Sequence, residues 1–405
     1  MKNQIERGHE MLSEIKKDIR ENYFDRKLHG VNLDQRFADA DAQVTNAVSG
    51  DQIYGIIAQT LLAFEDSHTY FIPPVWSMEV DYGWEMQIFG NRCYVTSVDL
   101  GSDADVKGLR RGHEVVAVFD VPISRSNLWQ IEYLFHKLRP LKAMTLTIQT
   151  AEGRRQQMEL LTRVKKATWA SIGEMERRQS KSIQYYRELN GDVFNWKMPE
   201  FDLSEKGVDD MMRKVGQHRT LILDLRGNAG GYEEMLQYLL GYFFDHDIKI
   251  GERKGRKESK PILAKTRGAK AYKGNLIVLV DSRSASAAEV FARVVQLEKR
   301  GTVLGDRTEG AVTEARHFFH DYFRRKGFFV SALAVTYGVS VTVNDLIMTD
   351  GKSLERIGVT PDEVVLPAPS DLAMEHDPVL TRSAQLIGIT LDSGSPSYKK
   401  ESLVP

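Results

Sequence analysis

The chain has 405 residues, 42% of them hydrophobic and 27% charged, with a formal net charge of −1. That is ordinary globular material, enough for two or three domains, and it carries no global field for nucleic acid or an anionic membrane. Its single cysteine, Cys93, excludes an internal disulfide and a thiolate metal cluster, and no stretch approaches the roughly 18 apolar residues of a membrane span.

Residues 1–78 read as a small helical bundle. Met11, Ile15, Ile19 and Tyr23 fall on one helical face, and Phe37, Ala40 and Val44, then Ile53, Ile56, Ile57, Leu61 and Leu62, continue the pattern. The first helix has no apolar signal-peptide core. A trimmed chain would look the same, so compartment stays open. Pro73-Pro74 stops any helix, which leaves Asp66-Ser67-His68-Thr69 as a turn at a helix end. A lone histidine in such a turn is usually a solvated side chain.

Residues 79–163 change to short alternating strands, WEMQIFG, RCYVTSV, HEVVAVFDV, MTLTIQT and RRQQMELLT, with one helix near Asn127 to Leu138. Cys93 lies in one of these runs and reads as a small buried hydrophobe. The segment SDADVKGLRRGHEVVAVFDVPI resembles the A-x-x-A-G-L-x-x-G-D-x-I core of PDZ domains, with His113 where Asp is usual. Such domains capture peptide C-termini by adding a strand to a sheet edge. The resemblance implies that Tyr82, Gly83, Trp84 and Glu85 form the terminal-carboxylate loop.

Residues 164–190 read as a polar helical connector and open a third unit, 164–392, in which strands and helices alternate. That order predicts an α/β domain with a mostly parallel sheet. The tail, 393–405, reads as disordered. Three loops lie at strand C-termini, where chemistry collects in such sheets. The first is Asp224-Leu225-Arg226-Gly227-Asn228-Ala229-Gly230-Gly231, which is neither a phosphate loop nor a dinucleotide fingerprint. The second is Ser284-Ala285-Ser286, between the apolar strand Leu276–Val280 and a helix from Ala287. Ser286 has two readings here. With Glu289 three residues on it fits a capping box; at a strand–turn–helix junction it also fits a nucleophile beside unpaired N–H groups. The third loop is Leu304 to Ala311.

DLRGNAGG, VDSRSASAAE, GDRTEGA and GVTPD, in this order behind a PDZ-like segment, resemble the S41 serine peptidases, the C-terminal processing proteases and their tricorn-type relatives. The resemblance implies a ClpP/crotonase-like α/β core with the helical bundle in front and the PDZ-like domain inserted. It implies a serine endopeptidase with Ser286 as nucleophile, acting on peptide or unfolded protein, with no cofactor and no metal. The processing branch pairs its serine with a lysine, but Ala311 occupies that position, so a Ser–Lys dyad is excluded there. The tricorn-like branch takes its base from a D-x-H-x loop, which Asp66–Thr69 matches, making His68 the general base; a histidine of pKa near 6.5 suits that task. By the same resemblance Ser67 hydrogen-bonds a carboxylate that orients the imidazole. That carboxylate is Glu355, with Asp350 and Asp345 as alternatives. Backbone N–H groups of Gly230 (or Gly231) and Ala287 would form the oxyanion hole, with Glu289 supporting the turn. Relatives of this branch are often exported, which favours an extracytoplasmic location. The sequence leaves self-association open. The rival function is a non-catalytic binder of hydrophobic ligands or peptides on the same fold.

Overall fold

The computed structural model describes residues 1–74, 78–138, 141–166, 182–189, 191–321, 336–391 and 398–403. Three helices, Lys2–Asn22, Leu33–Thr45 and Gly50–Leu62, open the chain. They bury Met11, Ile15, Ile19, Tyr23, Phe37, Val44, Ile53 and Ile57 against one another. Asn32 and Ser49 cap the second and third helices by accepting the N–H groups of Gln35 and Gln52. This helical core is not self-contained. Phe71, Tyr337, Val339 and Val341 belong to the same cluster, because strand β1 (Tyr70–Ile72) pairs antiparallel with a distant strand, Thr336–Met348. The segment just ahead of β1 is thereby carried to the far end of the chain.

Strands β2 (Met78–Asp81), β3 (Trp84–Phe89), β4 (Arg92–Val98), β5 (Glu114–Val118), β6 (Val121–Pro122), β7 (Ala143–Gln149), β8 (Arg155–Leu161) and β9 (Arg163–Lys166) follow. Of these, β3-β4-β5-β7-β8 form an antiparallel sheet, with β6 on β5. The alternating burial of β7 gives one face to a core with Met86, Ile88, Val95 and Leu109. Cys93 lies in that core, where burial pushes its thiol up to about 12.

Next come β10 (Ser182–Leu189), β11 (Val193–Lys197), β12 (Thr220–Asp224), β13 (Ile248–Gly255), β14 (Ser259–Ala264), β15 (Asn275–Val280), β16 (Thr302–Gly305), β17 (Glu314–Asp321), β18 (Thr336–Met348), β19 (Glu363–Val364) and β20 (Lys399–Leu403). The central sheet has the order β19-β16-β15-β12-β11-β10-β20. It is parallel from β19 to β11 and antiparallel at β10 and β20. Both faces are covered. Leu221, Leu223, Val278, Val280 and Val303 pack with helices Glu205–Val215, Glu233–Leu240 and Ala287–Leu297. The alternate residues Ile222, Ile277, Leu279 and Leu304 pack under helix Pro378–Leu386. Two-sided cover explains why these strands read as continuous apolar runs.

Two expectations are corrected. The polar stretch 164–190 is not a helical connector in its described parts: Arg163–Lys166 pairs with β2, and Ser182–Leu189 pairs with β11. Residues 167–181 lie outside the described residues. The tail is not free either, since Lys399–Leu403 adds to the edge of β10. Ser182–Leu189 lies inside the sheet but buries a glutamine, Gln184, where an apolar residue would mark the pattern, and Lys399–Leu403 is a polar edge strand, so periodicity reveals neither.

Candidate active site

Ser286 stands where β15 gives way to helix Ala287–Leu297, with φ +53° and ψ −119°. A non-glycine residue rarely adopts this conformation, and the surroundings must enforce it. Hydrogen bonds around the turn enforce it. Ser286 N–H donates to Ala311 O (2.9 Å) and to Glu289 Oε2 (3.1 Å). The preceding turn is tied down by Asp281 Oδ1, which accepts the N–H groups of Gly227 (2.9 Å) and Arg283 (3.0 Å). Ser284 Oγ donates to Leu225 O. Glu289 accepts from Ser286 N–H, and the Glu289 N–H donates to the Ser286 backbone carbonyl (2.9 Å) rather than to the hydroxyl, which makes no side-chain cap bond. Capping therefore does not account for the hydroxyl.

Glu289 is completely buried and also accepts from Gly310 N–H (2.8 Å), Ala311 N–H (2.9 Å) and the Thr308 hydroxyl. Burial pushes its carboxyl up to about 7, against the pull of those donors. Its physical role is to weld the 306–313 loop to the Ser286 turn. Thr308, which sequence patterning gave no reason to single out, passes the tie on by accepting Val359 N–H.

Gly230 closes the other side. Its φ is +102°, and a Cβ there would lie 2.6 Å from Ser286 Cβ and 3.0 Å from Oγ. Only a glycine brings backbone so near the serine. The structure differs from expectation in one respect: Gly230 N–H already donates to Asn228 Oδ1 at 2.8 Å. Among the described residues the N–H groups of Gly231 and Ala287 have no recorded acceptor.

This loop owes its position to an ion pair. Arg226 bridges Asp224 (2.7 Å) and Asp377 (2.8 Å), and Asp224 is fully buried. Burial opposes the Asp224 charge, yet Arg226 and Lys197 hold its carboxyl well below the usual range. Removing the cation strands a buried charge. Arg226→Ala is expected to cost about 3–5 kcal/mol, read by urea unfolding monitored at the fully buried Trp196. A loss below about 1 kcal/mol would show that water replaces the guanidinium.

His68 arrives from the N-terminal helices. Asp66, 2% exposed, locks its turn by accepting the Tyr23 hydroxyl (2.7 Å), the Thr342 hydroxyl (2.8 Å) and the N–H groups of His68 (3.0 Å) and Thr69 (2.6 Å). The ring Nδ1 lies 2.6 Å from Ser67 Oγ and 3.0 Å from Thr313 Oγ1. With the proton on Nδ1, shared with those hydroxyls, Nε2 keeps its lone pair. Burial lowers the His68 pKa; Glu355 and Asp66 oppose that, and His317 adds to it.

Of the three carboxylates left open by the sequence, the structure brings Glu355 to this turn. Glu355 accepts Ser67 N–H (2.8 Å), Val312 N–H (3.0 Å) and Thr313 N–H (3.3 Å). Asp350 is paired with Arg293, and Asp345 accepts from Ser353. The detail differs from expectation: Ser67 offers Glu355 its backbone N–H, while its hydroxyl goes to the imidazole. Thr313 is a residue the sequence reading missed. Its one signal was position, two residues after the alanine that replaces the lysine. The segment Ala311–Thr313 thus holds Ser286 at one end and His68 at the other, although no hydrogen bond joins these two side chains among the described residues.

A cavity of about 840 Å³ opens beside this arrangement. Ser67, Gly227, Ala229 and Glu309 face it from the core, and Tyr82, Trp84 and Glu85 from the β3–β8 unit. The outer edge of β3 is not open for an added strand as the PDZ resemblance implied. Met86 O accepts from the Arg283 guanidinium and Ile88 O from the Ser282 hydroxyl. Gly83 N–H donates to Asp81. The Ser286 turn itself occupies that edge.

Residues 196–365 match the model of peptidase family S41. The family likeness covers that segment, less than half of the chain. It is 23% identical over 351 residues to a tail-specific protease of Haemophilus influenzae, covering 82% of this chain and 48% of that protein. It is 24% identical to a carboxyl-terminal-processing protease of a Picosynechococcus species, covering 80% of this chain and 75% of that one. A mature CPAF structure superposes with a TM-score of 0.68 at 14% identity, over 92% of this chain and 96% of that one. The chain spans about half the length of the first curated relatives it matches.

Proposed function

We propose that this S41 chain is a serine endopeptidase with Ser286 as nucleophile and His68 as general base. One observation carries the reading: an uncapped serine hydroxyl, held in a left-handed conformation at a helix start, lies against Gly230 and is tied through Ala311–Thr313 to His68. In this mechanism His68 Nε2 takes the Ser286 proton as Oγ attacks the peptide carbonyl. The N–H groups of Gly231 and Ala287 stabilise the oxyanion, the latter aided by the helix dipole. The imidazolium then protonates the leaving amine, and water repeats the cycle on the acyl-enzyme. Ser67 and Thr313 are positioning residues for the ring, and Glu355 holds their backbone. The distance between base and nucleophile closes when substrate fills the cavity, as catalytic hydrogen bonds commonly tighten on binding.

In the same reading residues 79–163 form the second wall of the cavity and gate it through the Arg283 and Ser282 bonds to β3. A fluorophosphonate probe is expected to label one residue, Ser286, located by peptide mass mapping. Labelling elsewhere, or none in a folded chain, sinks the assignment. Gly230→Ala supplies a second check. The added methyl meets Ser286 and a φ that L-residues avoid, so turnover should fall at least about a hundredfold, with the fold retained by circular dichroism.

The aromatic walls of the cavity, with Phe71, Trp129, Tyr133 and Phe135, favour one rival, a non-catalytic binder of apolar ligands. The same labelling separates them.

A further inference from the structure

The cavity beside the Ser286 turn carries charge that hydrolysis of a peptide bond does not require. Three carboxylates face it, Glu85, Glu132 and Glu309, against one guanidinium, Arg283. Arg283 lies 3.7 Å from Glu85. Among the described residues no cation pairs with Glu132 or Glu309. Glu309 is placed next to the nucleophile turn, since its N–H donates to Ser284 O at 3.0 Å.

One buried polar group of a residue lining the cavity has no partner among the described residues: Trp84 is 8% exposed, and its Nε1–H has no acceptor. Ser340, in register between the lining residues Tyr70 and His317, also has a buried hydroxyl without a partner among the described residues, but it does not itself line the cavity. Buried donors are normally satisfied, so the unpaired Trp84 donor points to a guest with its own polar groups.

We propose that this cavity is the subsite for a basic residue of the peptide substrate, its ammonium or guanidinium seated between Glu132 and Glu309 and its stem lying along the aromatic walls. The substrate class follows from that: peptides with lysine or arginine near the scissile bond, rather than peptides held by a free terminal carboxylate. The proposal rests on the serine-peptidase reading for turnover but not for binding.

The titration of the cavity agrees with this geometry. Glu309 is solvent-exposed as a residue, yet desolvation by the protein around its carboxyl, then Glu132, with Glu355 and Asp281 adding, pushes that carboxyl up to about 7, and Arg283 opposes. Burial also raises Glu132, with Glu85 adding and Arg283 opposing. Among the described residues the other titratable groups lining the space are His317 and the phenols Tyr70, Tyr82 and Tyr133. A bound cation favours both carboxylates and expels their protons, so affinity for a basic peptide should rise with pH through neutrality.

The experiment measures anisotropy of N-acetylated fluorescent decapeptides on the full chain carrying Ser286→Ala, so that nothing is consumed. The peptides differ at one scanned residue, arginine or its neutral isostere citrulline. At the best position arginine is expected to bind about ten- to a hundredfold tighter, and the advantage should vanish in the double variant Glu132→Gln, Glu309→Gln. Equal affinity at every position overturns the proposal, and that comparison needs no carboxylate variant. An advantage that survives both substitutions also overturns it. So does a preference for an unacetylated citrulline peptide over acetylated arginine, since the site would then read a terminal amine. An arginine preference without fluorophosphonate labelling of the unsubstituted chain sinks the peptidase reading and leaves this one standing; labelling without preference does the reverse.

Discussion

Ser286→Ala is expected to abolish turnover, by about a millionfold if the site behaves as other serine triads do on loss of the nucleophile, and to abolish fluorophosphonate labelling with it. Stability should hardly move. The Ser286 hydroxyl caps no N–H, so its removal forfeits less than the about 0.5–2 kcal/mol that an N-cap supplies. A companion variant sharpens the result. Ser286 sits at φ +53°, where glycine is at ease and any residue with a Cβ is strained by about 1–3 kcal/mol. Ser286→Gly should therefore be as inactive as the alanine variant and melt higher than the parent chain. A lower melting temperature for both would return Ser286 to the role of a structural cap.

The second large effect belongs to His68. Replacing it with alanine is expected to cost about 10⁴-fold or more in kcat/KM, with Ala311 leaving no lysine to substitute. The pH profile tests the same residue without a mutation. Burial lowers the His68 pKa from 6.5, so the base form is already present in mildly acidic buffer. Activity should rise with pH through a midpoint below 6.5 and stay level to about pH 8. Because the folded state binds its proton less readily than the unfolded chain, this histidine favours unfolding increasingly as pH falls through those two values. Glu289 titrates nearby, at about 7, and the profile should be repeated in Glu289→Gln. A limb that vanishes in that variant belongs to the glutamate. Activity appearing only in strongly alkaline buffer would overturn the histidine assignment.

Much of the core was legible because its strands and helices each carry one period. Leu276–Val280 reads as buried on both faces, and it is. Met11, Ile15, Ile19 and Tyr23 read as one helical face, and all four are buried. Ser182–Leu189, inside the sheet, and Lys399–Leu403, at its edge, were misread because polar residues break any apolar alternation in both. At the site, the serine, the histidine and the glycine turn were each visible as residue types in recognisable runs. Thr313, Asn228 and Thr308 were not, since a threonine or asparagine that bonds a distant partner looks like any other polar residue.

The sequence by itself determined which groups could do the chemistry. It set a serine at a strand–helix junction, a histidine in an Asp-Ser-His-Thr turn, two glycines in a loop and an alanine where a lysine base would stand. Tertiary structure decided which of them meet. The pairing of Tyr70–Ile72 with Thr336–Met348 and the buried Asp66 bring His68 to the core, and Glu355 rather than its neighbours reaches the turn. It also decided which N–H groups are already spent, Gly230 on Asn228 and Gly83 on Asp81. Those two bonds are local turns; for the long-range contacts the physical reason is a single one. Hydrogen bonds and charges between residues hundreds of positions apart leave no period in the chain; they exist only once burial has fixed the backbone around them.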